Sequence, residues 1–191
     1  ERCARLAGAM RTAGVAVGDR VAILSLNGDF HVEYFLGCWW AGAVAVPLNT
    51  RWSERELAYA LEDSGAAILF VDDHHLDLAP ALLAGSGPLR IAVHVGGKTT
   101  PAGVVAYEEW AGAAGPIPDE RHGGDALAAI LYTGGTTGFP KGVMLSHGNL
   151  WSSAIARMAD SEPLDVHVAL LVTPLFHVAG LGKLVSQVIV A

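Results

Sequence analysis

The run Ala126-Leu127-Ala128-Ala129-Ile130-Leu131-Tyr132-Thr133-Gly134-Gly135-Thr136-Thr137-Gly138-Phe139-Pro140-Lys141-Gly142-Val143-Met144-Leu145 decides how this chain is read. Ala126 to Ile130 is a continuous apolar stretch of the kind that forms a buried strand, and Val143-Met144-Leu145 is a second β-type run. Between Tyr132 and Val143 lie four glycines, three threonines and one lysine, with no carboxylate. Glycine lets the backbone approach a ligand closely and turn its N–H groups toward it. The threonines add hydroxyl donors and Lys141 a compact positive charge. Pro140 restricts Phe139 to extended geometry and so helps fix where Lys141 leaves the loop. This donor set suits an anion with many oxygens, above all a polyphosphate. A flexible hairpin with a solvent-facing lysine would use the same glycines. The P-loop pattern requires Gly-Lys followed by Ser or Thr, and Pro140-Lys141-Gly142 does not meet it.

Upstream of this run the pattern alternates between elements. Cys3, Leu6, Ala7 and Met10 form a helical stripe that Gly14 can end. Arg20 to Ser25 reads as a strand, Asn27-Gly28 as a turn, and Asp29 as the cap of an aromatic-rich helix reaching about Gly42. Val44 to Leu48 is the next strand. Ser53-Glu54-Arg55-Glu56 is a capping box opening a helix that Gly65 closes. A strand at Ala67 to Val71, a helix around Leu76 to Leu83 and a strand at Ile91 to Val95 follow. Gly96 to Gly124 reads as a connection with one helix near Tyr107 to Ala113. Downstream, Ser146 can cap a helix with an apolar stripe of Trp151, Ala154, Ile155 and Met158. Val166 to Val172 reads as a strand leading into a final apolar helix. Strands apolar on both faces, alternating with helices, predict an α/β fold. The expected architecture is a mostly parallel β-sheet with helices on both faces, a layered αβα arrangement with right-handed crossovers.

Composition narrows the function. The chain has 191 residues, 52% hydrophobic, and a net charge of −7. Its nine arginines and three lysines are scattered, so no basic stripe is present to hold nucleic acid. Cys3 and Cys38 match no metal spacing and read as buried thiols of a reducing compartment. The longest apolar stretch, Phe35 to Leu48, is short for a membrane span, and a cytoplasmic protein with no transmembrane segment is expected. The histidines at 31, 74, 75, 94, 122, 147 and 167 lack paired ligand spacing, and no metal site is expected. Glu1 opens within a helical pattern and Ala191 ends an apolar run, which reads as a fragment of a longer chain.

The whole string Tyr132 to Val143 resembles the phosphate-binding loop of the adenylate-forming superfamily of acyl-CoA synthetases, luciferases and peptide-synthetase adenylation domains. Gly134 stands where many members have serine, which removes one hydroxyl and leaves the backbone donors. Ala41 to Asn49 and Ser53 to Val71 resemble earlier motifs of the same superfamily, with a weaker likeness around His74 to Arg121. Pro174-Leu175-Phe176-His177-Val178-Ala179-Gly180 resembles the next motif, in its acyl-CoA synthetase form. Taken alone, a histidine after a strand is more often a turn or packing residue than a catalytic one.

The resemblance implies part of the large N-terminal domain of such an enzyme. A first α/β subdomain and connection would occupy 1–122, and a second subdomain would start within 123–191. Thr133, Gly134, Gly135, Thr136, Thr137, Gly138 and Lys141 would hold the β- and γ-phosphates of ATP. His177, Val178, Ala179 and Gly180 would line the site of a small-molecule carboxylic acid. ATP, Mg²⁺ and coenzyme A as co-substrate are implied, together with an acyl-adenylate that becomes a thioester. The metal-binding glutamate, ribose-binding aspartate and late catalytic lysine of the superfamily have no counterpart up to Ala191. No catalytic residue is therefore assigned, and the isolated chain is expected to be inactive. The amino-acid-selecting branch carries an aspartate near the position of His177, so a fatty or aryl acid without an α-amino group is expected. Two alternatives stay open, an acyl-AMP ligase or luciferase-like enzyme and a non-enzymatic nucleotide-binding module. The acid and the oligomeric state are not specified by these residues.

Overall fold

The apolar runs become strands and the stripes become helices in the computed structural model, which describes residues 1–85, 87–134, 138–159 and 168–190. The first half alternates α1 (Arg2–Thr12), β1 (Arg20–Leu24), α2 (Asp29–Trp40), β2 (Val44–Pro47), α3 (Glu54–Ser64) and β3 (Ala66–Asp72). A 3₁₀ turn at Leu76–Leu78 leads into α4 (Ala79–Gly85), followed by β4 (Ile91–Val95), β5 (Val105–Ala106) and α5 (Tyr107–Gly112). Then come β6 (Leu127–Thr133), β7 (Lys141–Ser146), α6 (His147–Ala159) and α7 (Val178–Val190).

The seven strands form one sheet in the order β5-β4-β3-β1-β2-β6-β7. The first six are mutually parallel, and β7 returns antiparallel to β6 with Thr133 opposite Lys141. β2 and β6 are neighbours, registered at Ala45 and Ala129, so the sheet runs on through the boundary expected near 122. Alternation along the strands divides the core between two faces. Val21, Ile23, Ile68 and Phe70 pack with α1, α2, α5, α6 and α7, while Ala22, Leu24, Leu69 and Val71 pack with α3 and α4. This is the expected αβα layering.

Local chemistry sets the helix ends. Ser53 and Glu56 form the reciprocal capping box, and Gly65 closes α3 at φ 65°, a left-handed conformation that a side chain would strain. The aromatic helix is core, with Tyr34 and Phe35 fully buried. The Tyr34 hydroxyl donates to the Val21 carbonyl (2.6 Å) and accepts from the Val46 amide (2.9 Å), tying β1 to β2.

Three expectations are corrected. Of the strand expected at Val166 to Val172, Val166 and His167 lie outside the described residues; Val168 to Val172 join no ladder among the described residues, and Val168, Leu170 and Val172 are 85%, 75% and 74% exposed. An alternating run has strand propensity, but a strand also needs a neighbour to bond, and here the contacts come from side chains instead. The α6 stripe is displaced: Leu150 and Ala154 are buried, whereas Trp151 and Ile155 are exposed. α6 meets the sheet and α7 on the Leu150–Ala154 side, so the apolar positions one residue later face outward. Finally, Cys38 is buried as expected but Cys3 is only partly so.

Candidate functional site

β6 delivers the glycine- and threonine-rich loop and β7 takes the chain away from it. Thr133 and Gly134 end the described part of the first arm, and Gly138 to Lys141 form the second. Gly135, Thr136 and Thr137 lie outside the described residues. Thr133, Gly134, Gly138 and Lys141 are all exposed, and Lys141 forms no ion pair among the described residues. A lysine with no ion pair among the described residues, opposite the exposed Thr133 and beside the exposed Gly134 and Gly138, leaves its charge available to an anion.

The base of the hairpin is clamped from α3, a feature that sequence reasoning missed. The Tyr132 hydroxyl donates to Asp63 Oδ2 at 2.6 Å. Burial and this carboxylate push the Tyr132 phenol well above its ordinary pKa, so it stays a donor. Phe139 stacks on Tyr59 at 4.5 Å between ring centroids, with the Arg55 guanidinium 5.3 Å above its face. Asp63, Tyr59 and Arg55 sit on a helix whose pattern only announces an amphipathic surface. Nothing in its spacing points to a loop some 70 residues on.

The second expected cluster opens α7. The His177 amide donates to the Pro174 carbonyl (3.1 Å), and the His177 carbonyl accepts from Leu181 (3.0 Å). His177 is exposed, and its Nδ1 accepts from the Ala179 amide at 3.3 Å. In the neutral ring this leaves the proton on Nε2, which points a donor outward. Gly180 is required sterically: a Cβ there would lie 2.3 Å from the Pro174 carbonyl oxygen. Val178 is exposed and Ala179 half-buried.

The sheet places these clusters on the same side of the molecule. β1, β2 and β6 are parallel neighbours, so the segment after β1 and the loop after β6 leave from the same carboxyl-terminal edge. Asn27, just beyond β1, holds the segment that leads to His177: its Nδ2 donates to the carbonyls of Leu171 (3.2 Å) and Thr173 (2.9 Å). One strand intervenes, which corresponds to a separation of about 10 Å between strand axes. Carboxyl edges of parallel strands are the usual place for ligands in open α/β sheets. An apolar cavity of about 440 Å³ lies elsewhere, between α2, α6 and α7, lined by Trp39, His147, Leu150 and Val188 among others. It contains none of the expected site residues. Among the described residues no cluster of three metal-binding side chains is present, and no helix is long and apolar enough to cross a membrane.

Comparison with known proteins gives one family. The pattern of the AMP-binding enzyme family matches residues 1–189. A feruloyl-CoA synthase of Amycolatopsis is 41% identical over 181 residues, covering 95% of this chain and 34% of that protein. A long-chain-fatty-acid–CoA ligase of Thermus thermophilus is 39% identical over 183 residues, covering 93% and 33%. Among solved structures, the o-succinylbenzoate CoA synthetase of Bacillus subtilis in complex with its acyl-adenylate intermediate superposes with a TM-score of 0.78 at 31% identity, covering 99% of this chain and 36% of that one. The chain thus spans about a third of the length of the curated relatives it matches.

Proposed function

This chain belongs to the AMP-binding enzyme family, and on that premise we propose that it is the N-terminal part of an ATP-dependent acid–CoA ligase. The observation that carries the proposal is the shared carboxyl edge, with the glycine- and threonine-rich hairpin after β6 and the His177 turn tied to the end of β1. The names of its relatives, a feruloyl-CoA synthase and a fatty-acid–CoA ligase, favour an aryl or fatty acid.

In this mechanism the acid carboxylate attacks the α-phosphorus of ATP, pyrophosphate leaves, and an acyl-adenylate remains. The coenzyme A thiolate then displaces AMP to form the thioester. Thr133 to Gly138 and Lys141 hold the β- and γ-phosphates, stabilising charge on the leaving pyrophosphate. His177 offers Nε2–H at the acid site, and Val178, Ala179 and Gly180 shape it. The loop supplies hydroxyls, amides and a lysine but no carboxylate, so these residues fit phosphate oxygens and not a metal ion. When bound, Mg²⁺ would accompany the nucleotide as its counter-ion and share the stabilisation of phosphate charge.

A cytoplasmic setting belongs to the same proposal, because ATP and coenzyme A are held there. So does a division into a first subdomain at 1–122 and the start of a second at 123–191, which limited proteolysis at Gly123–Gly124 would test. The decisive experiment uses the full-length protein: ATP–pyrophosphate exchange across a panel of fatty and aryl acids, then thioester formation with and without coenzyme A. Acid-dependent exchange with coenzyme-dependent thioester is the expected result. Exchange without thioester would assign an adenylating enzyme with another acceptor, and no exchange with any acid would remove the enzyme reading.

A further inference from the structure

We propose that Asn27 is a positioning residue for the carboxylic-acid site, through hydrogen bonds that set the backbone leading to His177. The inference rests on the reading of His177 to Gly180 as that site. Asn27 uses its whole amide: Nδ2 donates to the carbonyls of Leu171 (3.2 Å) and Thr173 (2.9 Å), and Oδ1 accepts from the Leu175 amide (2.9 Å). Two carbonyls on one side and an amide on the other fix which way the side chain faces. No other residue type of this length offers two donors and one acceptor in this arrangement.

The segment it grips has no ladder of its own, since residues 168–176 lie in no helix or strand. A further side-chain tie on this stretch is at its start, where Lys183 Nζ donates to the Leu170 carbonyl at 2.9 Å. Between the bonded atoms of Thr173 and Leu175 sits Pro174, whose carbonyl accepts from the His177 amide and presses against Gly180. A shift of this turn therefore moves both the imidazole and the start of α7. Asn27 is itself rooted in the sheet: it follows β1, and the adjacent Leu26 amide donates to Asp72 Oδ2 (2.8 Å) at the end of β3. The tie thus transmits the position of the central strand to the acid site. Its hydrogen bonds include no described residue of the β6–β7 hairpin, so acid and nucleotide should respond differently when it is cut.

The test uses the full-length protein with Asn27→Ala, which loses all three bonds, and Asn27→Asp. The aspartate is nearly isosteric, keeps the acceptor for Leu175 and sets an anionic oxygen against two carbonyls. In ATP–pyrophosphate exchange both variants should raise KM for the acid by about tenfold or more, the scale of effect that misplacing a reacting group produces. KM for ATP should stay near its wild-type value. An unchanged KM for the acid, or equal shifts in both constants, overturns the proposal. Amide hydrogen exchange on the same proteins reads the tie without any activity, and the Leu175 and His177 amides should exchange about tenfold faster in Asn27→Ala. Unchanged protection there overturns the proposal even if the kinetics move. If wild type adenylates no acid, the functional reading fails by itself, while the exchange data still decide whether Asn27 holds the turn. Should Asn27→Ala not fold, Asn27→Asp gives the same kinetic split.

Discussion

Lys141 and His31 illustrate how much one residue's surroundings decide. Lys141 is exposed and forms no ion pair among the described residues, which suits the proposed contact with pyrophosphate. In the full-length enzyme, Lys141→Ala should slow adenylation by about one to three orders of magnitude, the range for losing a transition-state donor. Thioester formation from preformed acyl-adenylate and the melting temperature should both be nearly unchanged. An equal slowing of the two half-reactions would remove Lys141 from the pyrophosphate site. His31 is the opposite case, 2% exposed with Nδ1 buried and unpartnered among the described residues. Burial lowers its pKa from 6.5 to about 4, against a smaller attraction from Asp72. The unfolded chain takes up this proton near pH 6.5 and the folded chain does not, so stability is complete above that pH and falls toward pH 4. A shift of this size corresponds to about 3 kcal/mol at the acid end of the window. Asp72 acts in a lower window. Burial opposes its charge, but hydrogen bonds from His75 and the Leu26 amide bring it from 3.8 to about 2, so its contribution is lost as pH falls between those values. Urea midpoints measured from pH 7 to pH 4 should drop steadily, and His31→Leu should flatten that limb without lowering the midpoint at pH 7.

At the scale of elements, α3 supports the β6–β7 hairpin through Asp63, Tyr59 and Arg55. Its capping box and left-handed glycine are local, but its link to the hairpin is not: Tyr132 donates to Asp63 across 69 residues. Asp63→Ala should destabilise the protein by about 1–3 kcal/mol, because it leaves a half-buried phenol without a partner. Adding Tyr132→Phe should recover part of that loss, and chemical denaturation of the two single variants and the double variant would give the coupling directly. An additive result would show that the bond contributes nothing. The start of α7 depends on close backbone approach, since a Cβ on Gly180 would meet the Pro174 oxygen at 2.3 Å. Gly180→Ala should cost about 1–3 kcal/mol as an overpacked contact. It should also raise KM for the acid more than KM for ATP.

For the whole molecule, the parallel sheet assembles one edge from segments far apart in the chain. The residues from Val168 to Val190, which include the proposed acid site, contain no aspartate or glutamate. Burying an α-ammonium group without a counter-charge costs several kcal/mol, and a neutral imidazole cannot supply that charge. Full-length enzyme offered phenylpropanoic acid and phenylalanine should show a higher kcat/KM for the former. A preference for the amino acid would move the protein to the amino-acid-selecting branch. The 191-residue chain by itself should give no ATP–pyrophosphate exchange above a blank, because it covers about a third of its relatives and holds no residue assigned to ribose or metal.

The amino-acid sequence by itself determined the order and type of nearly all the elements, from the stripe of Leu6, Ala7 and Met10 to the capping box at Ser53. These features depend on contacts within a turn or a strand, and their period is written along the chain. It also determined the family, through the string from Tyr132 to Val143 and the motif around His177. Only the tertiary structure decided which strands are neighbours, that β7 returns antiparallel, and that Val168 to Val172 have no ladder. Only it revealed that Asn27 reaches carbonyls 144 and 146 residues away, where its place in the sequence suggests a turn residue and nothing more. The physical reason is common to all of these. A hydrogen bond between distant residues is set by how the crossovers stack strands side by side, and stacking leaves no periodic trace in either partner.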